Sequence, residues 1–260
     1  MMTVGVLSVG LSAPGLPSWA EGAAVLRGER PYQPATLAAY APVLLPANER
    51  RRATAAVRQA FRAGEEAIAG RDASALATVF ASSDGDLNIL NRICGALTSP
   101  GHVVSPTDFH NSVHNAAAGY WGIATGARAP STTLAGYDGS FALGLLEAAT
   151  QVVSERHPVL LVAFDVPAPE PIALQRTHAD SASCALWLQP PDARDNTATL
   201  ELGLTDAPET DCADEPLERA RRGNPALRAL PLLLLLARAQ PGRVVLPMAG
   251  GRRLAVALRG

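Results

Sequence analysis

Nine consecutive residues, Pro158 to Val166 (PVLLVAFDV), are apolar save for a single aspartate. A strand with one buried face alternates apolar and polar residues, so a continuous run like this one needs cover on both faces. That requirement points to a sheet held between helical layers. The surrounding chain supplies both kinds of element. Thr3 to Ser12 alternates valine, leucine and small residues, and reads as a central strand. Arg50 to Gly70 places Ala53, Val57, Ala60, Phe61 and Ile68 at helical spacing, with Gly70 as terminator. Ala75 to Ser82 reads as a strand, and Asp84-Gly85-Asp86 caps a helix running through Leu97. Asn111 to Gly126 reads as a helix rich in small residues. Ser131 to Ala135 is a short strand, and Phe141 to Glu155 a helix apolar on nearly every face, hence buried. After a Pro-rich turn at Pro167 to Pro171, Ser183 to Gln189 and Thr197 to Thr205 form two further strands. Asp206 to Arg222, acidic then basic, is expected to be a surface loop or linker. A helix at Pro225 to Ala239 and strands at Arg243 to Leu246 and Arg253 to Leu258 follow. Strands alternating with helices give an α/β fold with a mixed sheet between helical layers. The sequence contains no internal repeat.

Composition narrows the function classes. Apolar residues make up 48% of the 260-residue chain and charged ones 18%, which suits a globular core. A net charge of −2 gives no electrostatic footprint for nucleic acid. Every cationic side chain other than histidine is arginine; the sequence has no lysine. Cys94, Cys184 and Cys212 lie far apart and form no CxxC, so neither a disulfide framework nor a zinc site is expected, and the setting is expected to be cytoplasmic. The first twenty residues could pass for a signal peptide. They lack a cationic start, however, and Pro14 and Pro17 break the run, so a buried strand followed by a turn is the better reading. The later apolar run Leu230 to Ala237 is far short of the ~20 residues that span a membrane.

Local motifs for catalysis are sparse. His110 and His114 are four apart, as in H-E-x-x-H, but Asn111 takes the glutamate position and no third ligand is evident, so no metal is expected there. There is no G-x-S-x-G elbow, and Gly5 to Gly10 is a strand with two glycines, not a dinucleotide fingerprint. His178 and Asp180, two apart, are expected in a solvated turn. Cys184 sits in an alternating strand, where a small buried thiol is the default.

The stretch Ser105 to Ala149 (SPTDFHNSVHNAAAGYWGIATGARAPSTTLAGYDGSFALGLLEAA) carries a resemblance. Together with VGLSAPGLPSW and VLRGERP before it, and VLLVAFD and SCALWLQ after it, it resembles the N-terminal half of a β-ketoacyl synthase. The resemblance covers residues 1 to 205 in family order. It implies a thiolase-like fold, with an N-terminal synthase-like domain over 1–205 and a C-terminal extension over 206–260 packing on it. The best match is to short synthase-like proteins of the chain-length-factor type, found in aryl polyene and related type II polyketide pathways.

In active synthases a cysteine sits at a strand–elbow–helix turn about eight residues after a proline. The same count from Pro130 reaches Asp138, within Tyr137-Asp138-Gly139-Ser140. A carboxylate cannot carry an acyl group as a thioester. In the family two histidines and a lysine surround that cysteine; here the last histidine is His178 and lysine is missing. The expectation is therefore no catalytic residue for condensation, with Asp138 capping the buried helix that follows. By resemblance, the chain is expected to pair with a complete β-ketoacyl synthase, meeting an acyl carrier protein indirectly. Tyr137, Phe141 and Leu145 are the expected walls of the partner's acyl tunnel. Asn111, His114, Asn115, Ser131, Thr132 and Thr133 are the expected subunit interface. No cofactor, nucleic acid or membrane is expected. Two alternatives remain open: a small enzyme decarboxylating or hydrolysing acyl thioesters through Asp138 with His110 or His114, and a homodimeric scaffold.

Overall fold

A computed structural model describes residues 1–176 and 178–259 of the chain. Gly260, the last residue of the expected extension, lies outside the described residues. The elements in order are β1 (Met2–Ser12), α1 (Trp19–Leu26), α2 (Ala47–Arg52), α3 (Ala55–Ile68), β2 (Ala77–Ala81), α4 (Leu87–Thr98), α5 (Pro106–Asn111) and α6 (Ala116–Thr125). There follow β3 (Ser131–Leu134), α7 (Ser140–Glu155), β4 (Val159–Asp165), β5 (Ala182–Gln189), β6 (Ala198–Thr205), α8 (Glu215–Gly223), α9 (Leu230–Arg238), β7 (Gly242–Pro247) and β8 (Arg253–Leu258). Short 3-10 turns at Tyr137–Gly139 and Pro225–Ala229 lead into α7 and α9.

All eight strands form one sheet in the order β3-β2-β4-β5-β1-β6-β8-β7. Its β3, β2 and β4 are parallel to one another, and every other neighbouring pair is antiparallel. β4 behaves as its unbroken apolar run demands. Val159, Leu161 and Ala163 enter a core shared with α7 and α9, while Leu160, Val162 and Phe164 enter a second core under α3 and α6. Each of these valine, leucine and phenylalanine side chains stabilises the fold by roughly 1.5–3 kcal/mol, and Ala163 by less. In the second core Trp121 packs on Phe61 and Phe80, with ring centroids 5.2 and 6.2 Å away. β1 lies between β5 and β6, so the opening apolar run is an interior strand. β8 pairs with β6, so the segment after residue 205 extends the same sheet.

Several expectations change. The helix read over Arg50–Gly70 is two helices, because the Thr54 hydroxyl accepts from Val57 N and starts α3 afresh. The helix read from Asn111 begins only at Ala116; Asn111 instead ends α5, whose cap is Ser105. The expected loop at Asp206–Arg222 contains α8, with Asp214 as its cap and Leu217, Glu218 and Arg221 buried. α7 is buried along most of its length but presents Val153 to solvent.

The two ends of the sheet differ. On β7, Val245 is bonded on both its amide and its carbonyl by Thr210. On β3, the carbonyls of Pro130 and Leu134 point to β2. Strand alternation then turns the backbone groups of Ser131 and Thr133 outward, away from the sheet.

Candidate functional site

The carboxyl ends of the parallel strands β2, β3 and β4 converge on one region, the usual place for a site in such sheets. After β3 the chain turns sharply. Tyr137 has φ 54°, a left-handed conformation uncommon for a bulky residue. The Ser140 hydroxyl holds the turn, donating to Tyr137 O (2.6 Å) and accepting from Gly136 N (3.0 Å). Gly139 has no room for a side chain: a Cβ would stand 2.6 Å from Met248 Cα, so the β7–β8 hairpin packs directly on the elbow.

Asp138 is not the cap that the sequence led us to expect. No side chain caps α7, whose N-cap is Gly139. The Asp138 carboxylate faces two guanidiniums instead, Arg176 at 3.0 Å and Arg228 at 3.6 Å. Arg176 lies over the Tyr137 ring, 3.7 Å from its centre, and reaches Asp84 at 2.9 Å and the Ser83 hydroxyl. Burial works against its charge, yet the hydrogen bonds to Asp84 and Asp138 hold its pKa above the ordinary value. Arg228 moves the other way: burial and the nearby Arg221 lower its pKa, against the pull of Asp138.

Behind this pair lies a second layer. Asp165, the last residue of β4, is fully buried and accepts from the Ser82 hydroxyl (3.0 Å) and Ser83 N (2.8 Å). Burial outweighs those bonds and pushes its pKa up to about 8. His178 turns Nδ1 to Val166 O (3.3 Å) and Nε2 towards Asp84 (3.5 Å). Burial first, and Arg176 second, lower its pKa. The solvated turn expected for His178 and Asp180 therefore holds only for Asp180, which is exposed, whereas the His178 side chain is 5% exposed and faces Asp84. Asp180 instead contributes its carbonyl to Asn224.

The other anticipated residues scatter. Tyr137 is 58% exposed, but Phe141 and Leu145 are completely buried in the core. As tunnel walls they would act through the core, without facing a partner. Asn111 is buried, donating to the carbonyls of Arg52 and Thr107. His114 Nε2 meets Ser82 O at 3.2 Å, and His110 stacks edge-on against Tyr120. Neither histidine is a partner of Asp138. Asn115 and Ser131 are exposed, and Thr132 and Thr133 half-buried. Burial raises the pKa of both the Cys184 and Cys212 thiols, the latter to about 11, so neither supplies a thiolate at neutral pH. No helix is long and apolar enough to cross a membrane among the described residues.

Arg176, Arg228, Asp84 and Asp165 escaped the sequence reading. They come from four separate segments, and Arg176 stands 38 residues from Asp138 and 92 from Asp84. The one local hint was the Asp84-Gly85-Asp86 cap. Its Asp86 caps α4, which leaves Asp84 free to serve the site.

Residues 20–238 match the family model described as β-ketoacyl synthase, N-terminal domain. No curated protein matches the sequence. Among solved structures, the chain is similar to one in the ketosynthase ApeO in complex with its chain length factor ApeC from Xenorhabdus doucetiae (22% identity, TM-score 0.76, covering 99% of this chain and 100% of that one). It is also similar to the ishigamide ketosynthase/chain length factor (14%, TM-score 0.76, 100% and 99%). A third likeness is to AntDE:AntF, a type II polyketide synthase acyl-carrier protein in complex with its ketosynthase bound to the hexaketide (12%, TM-score 0.77, 100% and 99%). At these identities the likeness establishes the fold: a mixed eight-stranded sheet with helices, of the thiolase-like ketosynthase type.

Proposed function

The chain belongs to the β-ketoacyl synthase N-terminal domain family, and we propose that it serves there as a non-catalytic, chain-length-factor-like partner of a complete ketosynthase in polyketide biosynthesis of the aryl polyene type. The observation that carries this reading is the state of the elbow. By the resemblance, Asp138 takes the position from which a condensing enzyme attacks, and its carboxylate is held by Arg176 and Arg228. A carboxylate held in two ion pairs is a poor nucleophile and forms no thioester. Support comes also from the similar chains in ketosynthase–chain length factor complexes, which run to the same length as this one.

A partner-binding face is consistent with the surface. The free edge of β3 invites strand pairing. The segment from α4 to α6, of which α6 contacts β3, exposes Leu97, Val103, Phe109, Val113 and Ile123, and Leu90 is half-exposed on α4. Large apolar side chains grouped in this way are characteristic of an interaction surface. In this reading the partner supplies the chemistry and receives the acyl carrier protein, in a cytoplasmic heterodimer. Tyr137, the exposed tip of the elbow, then limits chain extension in the partner's tunnel.

Co-expression with a complete ketosynthase tests the proposal. The two are expected to co-purify, and the ketosynthase alone is expected to give altered or no product. Thr133→Pro removes an outward N–H while leaving the β2–β3 bonds in place, so it should abolish co-purification without unfolding the chain. Independent migration of the two wild-type proteins, with unchanged ketosynthase products, overturns the reading. The stand-alone enzyme reading loses its base, since neither His110 nor His114 is a partner of Asp138.

A further inference from the structure

Three atoms behind the elbow present a problem of lone pairs. Asp84, Asp165 and His178 each offer one oxygen or nitrogen, and these three atoms lie within 4.8 Å of one another. Val166 O only accepts, so the proton of the His178 ring resides on Nδ1 and Nε2 carries a lone pair. Nε2 is buried and has no hydrogen-bond partner, as is true of Asp165 Oδ2. Asp165 is 1% exposed and the His178 side chain 5%. Thus two orphaned, buried atoms face the same point as Asp84 Oδ2, which itself accepts from Arg176 Nε (2.9 Å) and the Ser83 hydroxyl (2.5 Å). Leaving both atoms unpaired in the interior is unfavourable, and a cation at that point would satisfy them.

We propose that Asp84, Asp165 and His178 form a binding site for one divalent transition-metal cation of the Zn²⁺ or Mn²⁺ kind. One imidazole nitrogen and two carboxylate oxygens are a donor set that suits these ions. One of the three separations is already close to that of a bound ion, and all lie within 4.8 Å. Ligands about 2.1 Å from a tetrahedral ion stand roughly 3.4 Å apart, and His178 Nε2 is 3.5 Å from Asp84 Oδ2.

An outer shell is already built. The Val166 carbonyl fixes the His178 tautomer, and the Ser82 hydroxyl and Ser83 amide orient Asp165. The ion would tie the loop that carries Arg176 to the ends of β2 and β4. It thereby fixes the arginine that neutralises Asp138. The site does not depend on the proposed pairing with a ketosynthase.

The test is calorimetric titration of the chelator-treated full chain with Zn²⁺ and, separately, Mn²⁺. About one equivalent is expected to bind, with a rise in melting temperature. His178→Ala and Asp165→Asn should each weaken binding at least tenfold, in the 10- to 100-fold range or beyond typical of lost metal-site groups. The double variant His110→Ala/His114→Ala should bind like wild type. Pulsed electron paramagnetic resonance of wild type with Mn²⁺ should show coupling to one imidazole nitrogen, a readout that needs no variant to fold. Wild type that takes up neither ion overturns the proposal. Loss of binding only in the His110/His114 variant overturns it too.

Discussion

Two arginine–carboxylate networks sit on opposite sides of the same problem. In α8, Arg221 is wholly buried and held by Glu218, three residues away, together with Asp211 and Glu209. Glu218 also receives Arg222 and the amide of Cys212. At the elbow, Arg176 is part-exposed and gathers Asp84, Ser83, Asp138 and the Tyr137 ring from distant segments. The first network is local and closed, and secures one helix against the sheet. The second is long-range and half-open, and decides what the elbow presents. Burial therefore sets how much stability each holds, while sequence separation tells which one serves a site.

Breaking the closed network should have the largest effect. Arg221→Ala leaves Glu218 buried without its main partner, and losing one member of a buried pair costs about 3–5 kcal/mol. Denaturant unfolding should show the midpoint fall with its slope unchanged.

Acid should reach the same network without mutation. Burial alone would raise the Glu218 pKa, but Arg221, the Cys212 amide and Arg222 together lower it from 4.5 to about 2. A depressed carboxylate contributes stability that is present above pH 4.5 and lost as pH falls towards 2. The shift corresponds to roughly 3 kcal/mol. Glu218→Gln should flatten that part of the stability–pH curve, and an unchanged curve would remove Glu218 as its source.

The open network should give less. Arg176→Ala deletes charge-assisted bonds to Asp84 and Asp138 and the stacking on Tyr137. Bonds of that kind contribute about 1.5–3 kcal/mol, and partial exposure of Asp138 places the loss near the lower end. Thermal unfolding of this variant beside Arg221→Ala tests the ranking directly. An Arg176 variant as unstable as the Arg221 variant would show that the elbow network belongs to the core.

The same contrast explains what the sequence reveals. β4 was legible because a continuous apolar run has one physical solution, cover on both faces. The elbow was legible only through the resemblance, by the count from Pro130, and the structure adds why Gly139 is needed there: it permits the close approach of Met248. α8 was missed because its inward face is mostly polar: Glu218 and Arg221 are buried as a pair, which a hydrophobic pattern cannot register. The break before α3 was readable in Thr54, and the start of α5 in Ser105-Pro106, but helical spacing of neighbouring alanines masked both. Arg176 and Arg228 carry no local signal, and only the folded sheet brings them to Asp138.

The smallest stability change is expected at Asp138, and it separates shape from charge at the elbow. Its carboxylate is 43% exposed, and Arg176 retains Asp84 when it is lost. Asp138→Asn keeps the volume and a hydrogen-bond acceptor, and should cost within about 1 kcal/mol, the worth of an exposed ion pair. Arg228 has the larger consequence, because its side chain is only 14% exposed and Asp138 is its nearest carboxylate, 3.6 Å away. Removing that charge leaves Arg228 without a close counter-ion beside an exposed elbow, which should attract a small anion from solution. Sulfate should therefore raise the melting temperature of Asp138→Asn more than that of wild type. Equal responses would mean that Arg228 is balanced elsewhere and that Asp138 serves the elbow by shape alone.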